Sequence, residues 1–97
     1  MRTVRLTVGE AIVRFLAAQT TEWEQRRLPL FGGIWAIFGH GNVAGLGAAL
    51  AQARTSLPTL RAHNEQAMAL AAAAYARAHH RRRMMACTTS IGPGATN

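Results

Sequence analysis

Gly39, Gly41 and Ala44, in the stretch GIWAIFGHGNVAGLG, match G-x-G-x-x-G/A, the turn that brings backbone N–H groups against a dinucleotide pyrophosphate. A dinucleotide site also needs an acidic residue about 20 positions further on, at the end of the next strand, to bind ribose hydroxyls. Arg61 stands there instead, in LRAHNEQ, and would at most favour a 2′-phosphate. Glu65 comes too late for that role. The turn also runs on through Gly45 and Gly47, which the fingerprint does not explain. The dinucleotide reading therefore lacks its second half.

Other residues have chemical potential of their own. Glu65 reads in isolation as a carboxylate at a helix N-terminus, where the helix dipole favours negative charge. Thr88, Thr89 and Ser90 form a hydroxyl cluster ahead of Gly92 to Gly94; they suit either a ligand or a satisfied strand end. His40 could face a ligand or bond to its own turn. His79 and His80 are adjacent and followed by arginines, a poor spacing for a metal, so no metal ligand is assigned. Cys87 is the single cysteine, which rules out an internal disulfide and suits a small buried hydrophobe.

These residues need elements to position them. Thr7 and Glu10 form a capping box ahead of Val8, Ala11, Ile12, Phe15 and Leu16 at helical spacing, which predicts a helix over 8–19. The polar stretch TTEWEQRRLPLFGG reads as a loop anchored by Trp23. GIWAIF reads as a buried strand, followed by a helix with Asn42 as its N-cap. SLPTLRA is a second strand, with Pro58 at its start or on a sheet edge. Asn64 caps a third helix, NEQAMALAAAAYARAHH, and MMACTTS is a third strand. IGPGATN is a glycine turn, with Thr96 or Asn97 placed to cap a further helix.

Alternation of this kind predicts an α/β domain with a parallel sheet and helices on both faces. Three strands make about half of an ordinary doubly wound sheet, so the chain is expected to be the amino-terminal part of a larger protein. From Ala67 to Ala78 the third helix has Arg77 and the Tyr75 hydroxyl as its polar groups. A helix apolar all round is covered on more than one side.

Composition narrows the class. The apolar fraction of 49% and charged fraction of 15% read as globular. Net charge is +7, from eleven arginines against four glutamates, which admits a basic nucleic-acid-binding module. The arginines are scattered, however, and HHRRR (79–83) is the one dense group. Nucleic acid is not the expected partner. No apolar run approaches the roughly 20 residues of a membrane span, and no signal-peptide pattern is visible. The expected setting is cytoplasmic.

FGHGNVAGLGAAL, RAHNEQAMALAAAAYARA and TTSIGPGATN together resemble the pyrimidine-binding domain of thiamine-diphosphate-dependent enzymes. The acetolactate synthase branch typically carries a glycine turn, an R-x-E-Q…AA-x-G-YAR helix and TSGPGATN in this order. GIWAIFGHGNVAGLGAAL and HNEQAMALAAAAYA are most similar to the branch that opens a cyclic trihydroxy-dione in myo-inositol catabolism. His63, Ala71 to Ala74 and the additional Ile91 depart from the family pattern.

The resemblance implies a partial pyrimidine-binding domain over 1–97 and gives Glu65 the catalytic role. Its carboxyl would bond N1′ of the aminopyrimidine and promote the imino tautomer that removes the thiazolium C2 proton. Such a carboxyl, shielded from water, would have its pKa raised by burial. Gly41, Asn42, Thr89 and Gly92 would join Glu65 around the cofactor, and His40 and Thr88 would face the cyclic dione. The diphosphate and Mg²⁺ would bind a separate domain through GDG…N, a motif this aspartate-free sequence lacks. The family's active site forms between subunits, so the 64–80 helix is the expected contact of a homodimer or tetramer.

Overall fold

The computed structural model describes residues 2–39 and 41–97. Its elements are α1 (Val8–Ala18), β1 (Thr20–Trp23), β2 (Arg26–Pro29), β3 (Phe31–Ala36), α2 (Leu46–Gln52), β4 (Thr59–Arg61), α3 (Glu65–Ala78), β5 (Met84–Thr88) and α4 (Pro93–Thr96). Strands β3, β4 and β5 form a three-stranded sheet in the order β4-β3-β5, and both pairings are parallel. The fold is α/β, with a parallel sheet flanked by helices.

Side-chain alternation sorts the helices onto the two faces of the sheet. Ile34 packs with Val13 of α1, Ala49 and Leu50 of α2, and Leu57 in one buried cluster, with Ala86 of β5 against it. Met85, the neighbour of Ala86, points to the other face; it is buried, as is Met68 of α3, which packs on β5. Helices α1 and α2 thus form one layer and α3 the other. Glycine permits two close approaches in β3: a Cβ on Gly32 would run into the Tyr75 hydroxyl of α3, and one on Gly33 would lie 2.6 Å from the Pro58 carbonyl oxygen.

Local signals account for most element ends. Thr7 Oγ1 accepts from the Glu10 amide at 3.1 Å, and Glu10 Oε1 accepts from the Thr7 amide at 2.8 Å, completing the capping box. Asn64 Oδ1 accepts from the Ala67 amide at 2.8 Å and opens α3. That helix closes in a Schellman motif: Arg81 N–H donates to Ala76 O at 2.7 Å and His80 N–H to Arg77 O at 3.0 Å. His80 sits in the left-handed region, at φ 54°, where glycine is usual. Pro58 precedes β4, an edge strand, as its missing N–H requires.

Four expectations change. Residues 20–29 are a β-hairpin rather than a loop, with Thr20↔Pro29 and Trp23↔Arg26 in register. Its two-residue turn has positive φ at Glu24 (51°) and Gln25 (66°), as a type I′ turn requires, without the usual Asn or Gly. Trp23 anchors it by stacking under the Arg82 guanidinium, 4.4 Å from the ring centroid. Asn42 does not cap α2, which starts later, at Leu46 after Gly45. Pro93–Thr96 is itself one helical turn, where a glycine turn ahead of a helix was expected. Cys87 is exposed rather than buried.

Candidate functional site

In a parallel sheet all carboxyl ends lie along one edge, and here that edge gathers most of the chemically interesting residues. Gly39, Gly41 and Asn42 follow β3, Glu65 follows β4 by four positions, and Thr88 ends β5 with Thr89 and Ser90 just beyond it. The chain leaves β3 for β4 on one side, then returns past β3 to β5 on the other. The strand order therefore reverses between β3 and β5, the place where open α/β sheets bind ligands.

Asn42 ties the two sides of this switch point together. Its Oδ1 accepts from the Gly39 amide at 2.9 Å. Its Nδ2 donates to Ile37 O at 3.2 Å and Thr89 O at 3.0 Å, with Thr88 Oγ1 at 3.4 Å. Ile37 N–H also donates to Thr88 O at 3.0 Å. The Asn42 amide is thus engaged inside the protein, and its part is to hold the β3 turn against the end of β5. The Thr88 hydroxyl sits against that same amide.

Glu65 occupies the first position of α3, half-buried, and Ser90 Oγ donates to its Oε2 at 3.0 Å. Burial raises the Glu65 pKa. Hydrogen bonds from its own backbone amide, from Ser90 and from Asn97 outweigh that effect and hold the carboxyl below its ordinary value. This reverses the expected direction, because donors cluster at the carboxylate while one side of it stays open to solvent.

The open side faces a cavity of about 480 Å³ lined by Glu65, Met68, Ala69, Leu70, Cys87 and Thr89, among others. Its volume lies in the range of small-molecule sites, and one carboxylate on a mostly apolar wall suits a planar heteroaromatic ring with a basic nitrogen. Partial desolvation of the otherwise exposed Cys87 thiol against that wall raises its pKa.

The structure brings Glu65 and Thr89 together on this cavity, with Gly92 in the turn just beyond at φ 67°. Gly41 lies across the switch point, where a Cβ would stand 2.9 Å from Ile91 Cγ2. His40 lies outside the described residues. Ser90, expected with Thr88 and Thr89 in a hydroxyl cluster suited to a ligand or a satisfied strand end, spends its hydroxyl on Glu65, a partner that the sequence reading did not give it. Among the described residues no three His, Cys or acidic side chains gather as a metal site would need. The basic 79–83 segment lies at the opposite end of α3, about 20 Å from Glu65 at 1.5 Å per residue. No described helix is long and apolar enough to cross a membrane.

No protein-family model matches the chain, and no solved structure matches it. Curated relatives do. The 3D-(3,5/4)-trihydroxycyclohexane-1,2-dione hydrolase of Bacillus thuringiensis (strain Al Hakam) is 47% identical over 97 residues, all of this chain and 15% of the relative. The proteins of that name from Bacillus anthracis and Bacillus cereus (strain 03BB102) show the same 47% identity and 15% coverage. The chain thus spans about 15% of the length of the curated relatives it matches. Over its whole length the chain is a homologue of one stretch of the 3D-(3,5/4)-trihydroxycyclohexane-1,2-dione hydrolases.

Proposed function

We propose that this chain supplies the pyrimidine-binding part of a thiamine-diphosphate-dependent hydrolase that opens a cyclic trihydroxy-dione in myo-inositol catabolism. The observation that carries the reading is the Glu65 carboxylate at the edge of an apolar cavity, on the carboxyl side of a parallel sheet. Identity of 47% along the whole chain to hydrolases named for that dione supports the substrate class.

When bound, thiamine diphosphate supplies a carbon nucleophile and an electron sink for cleaving a bond beside a carbonyl. The residues present fit its aminopyrimidine. Glu65 would hold the proton at N1′. Met68, Ala69 and Leu70 would cover the ring and exclude water. Thr89 and Gly92 would line the approach on the β5 side, and Gly41 and Asn42 would shape it on the β3 side. His40 and Thr88 would stand toward the dione. The diphosphate and Mg²⁺ would be held by another part of the enzyme.

The same reading gives α3 a second use. Ala73 and Ala74 are exposed, and small side chains let a second subunit approach closely. A cytoplasmic homodimer or tetramer would bury them.

The test is turnover by the intact enzyme of 3D-(3,5/4)-trihydroxycyclohexane-1,2-dione, with and without added thiamine diphosphate and Mg²⁺. Consumption that requires the cofactor is expected. Consumption by enzyme freed of cofactor, or none under either condition, would overturn the reading.

A further inference from the structure

Ser90 is held from several directions at once. Asn42 Nδ2 fixes the carbonyl of the preceding Thr89 at 3.0 Å. On one side stands Gly39, where a Cβ would come within 3.3 Å of Ser90 Cβ. On the other stands Gly94, where a Cβ would run into Ser90 Oγ and lie 2.6 Å from Glu65 Oε2. Gly92 supplies the reversal that brings Gly94 back over this pair, at φ 67° and ψ −129°, a conformation open essentially to glycine. The additional Ile91 sits against Gly41 and joins the turn to the other side of the switch point.

We propose that Ser90 is a positioning residue for the Glu65 carboxylate, locked in place by the glycines at 39, 92 and 94. The proposal rests on the reading of Glu65 as the group that meets N1′ of the aminopyrimidine. Ser90 acts through Glu65: its hydroxyl holds Oε2 at 3.0 Å, fixing the plane of the carboxylate and the lone pairs that remain for the ring. Donation to a carboxylate also favours its charged form. Among the described residues, Cys87 is the other titratable group lining the cavity, its thiol pKa raised, and the causes of the Glu65 shift are burial and hydrogen bonds.

The experiment measures proton uptake when the intact enzyme binds thiamine diphosphate with Mg²⁺. Calorimetry in two buffers of different ionisation enthalpy gives the uptake at each pH. In the free site Glu65 is ionised above its lowered pKa, so uptake begins as the pH rises through that value. Ser90→Ala is expected to move this onset up by about one pH unit. Ser90→Thr, which keeps the hydroxyl, is expected to restore it. Gly94→Ala displaces the hydroxyl with Ser90 still present, and its onset should move up likewise. An unchanged onset in Ser90→Ala and Gly94→Ala, with uptake abolished in Glu65→Gln, would overturn the role of Ser90 alone. Uptake that persists in Glu65→Gln would overturn the reading of Glu65 and the proposal with it.

Discussion

Ser90 Oγ lies 3.0 Å from Glu65 Oε2, linking the end of the last sheet strand to the first residue of the longest helix across 25 positions of sequence. Both residues sit where the strand order reverses. The hydrogen bond converts a surface carboxylate at a helix start into one with a fixed direction, which a ligand contact needs.

Asn42→Ala removes the clasp between the two sides of the switch point. It leaves the Gly39 amide and the Thr89 carbonyl without their partner in a part-buried turn. The expected loss is about 1–3 kcal/mol, measured by urea unfolding. Thiamine diphosphate affinity should fall as well, because the glycine turn is no longer fixed against Thr89. Wild-type stability in this variant would show that the clasp contributes nothing.

The capping box at α1 gives a pH-dependent contribution of known sign. Bonds from the Thr7 backbone, then from its side chain, hold Glu10 below its ordinary pKa. A carboxyl lowered by folding stabilises fully above its unfolded pKa, and the contribution is lost as pH falls through the folded value. Glu10→Gln should therefore flatten the acid limb of the stability profile while leaving alkaline behaviour unchanged. Separately, Thr7→Ala should cost about 0.5–2 kcal/mol, read by thermal denaturation. An acid limb identical in Glu10→Gln and wild type would remove Glu10 from the account.

Cys87 reports on the cavity directly. Its raised pKa makes the thiolate scarce near neutrality, so iodoacetamide should label it slowly at pH 7 and faster as pH rises. Bound thiamine diphosphate with Mg²⁺ should protect it, with Cys87→Ser as the unlabelled control. Labelling at the same rate with and without the cofactor would place the ring elsewhere.

The helices were legible because their signals are local. Thr7 with Glu10, and Asn64 with Ala67, act over three residues, and the alternation of apolar strands with helices pointed to a parallel sheet. The β1–β2 hairpin was hidden because Glu24 and Gln25 form its turn, and neither advertises positive φ. Asn42 looked like a cap because Asn is a favoured cap residue; tertiary partners at Thr88 and Thr89 took its side chain instead. Cys87 looked buried because its run is apolar, but the face of β5 on which it lies is only partly covered by α3. Glu65 stood out through family resemblance, since its local sequence fits an ordinary helix start equally well. Its bond to Ser90 depends on the Gly92–Gly94 turn, and nothing in the spacing of the two residues announces it.

The central claim is that Glu65 meets the aminopyrimidine and governs proton loss at the cofactor's thiazolium carbon. Hydrogen–deuterium exchange at C2 of enzyme-bound thiamine diphosphate, followed by acid quench and proton NMR, measures that step without any substrate. Glu65→Gln keeps the size of the side chain but removes the acid, and exchange is expected to slow by at least roughly 100-fold. Exchange at the wild-type rate in Glu65→Gln, with cofactor still bound, would contradict the claim.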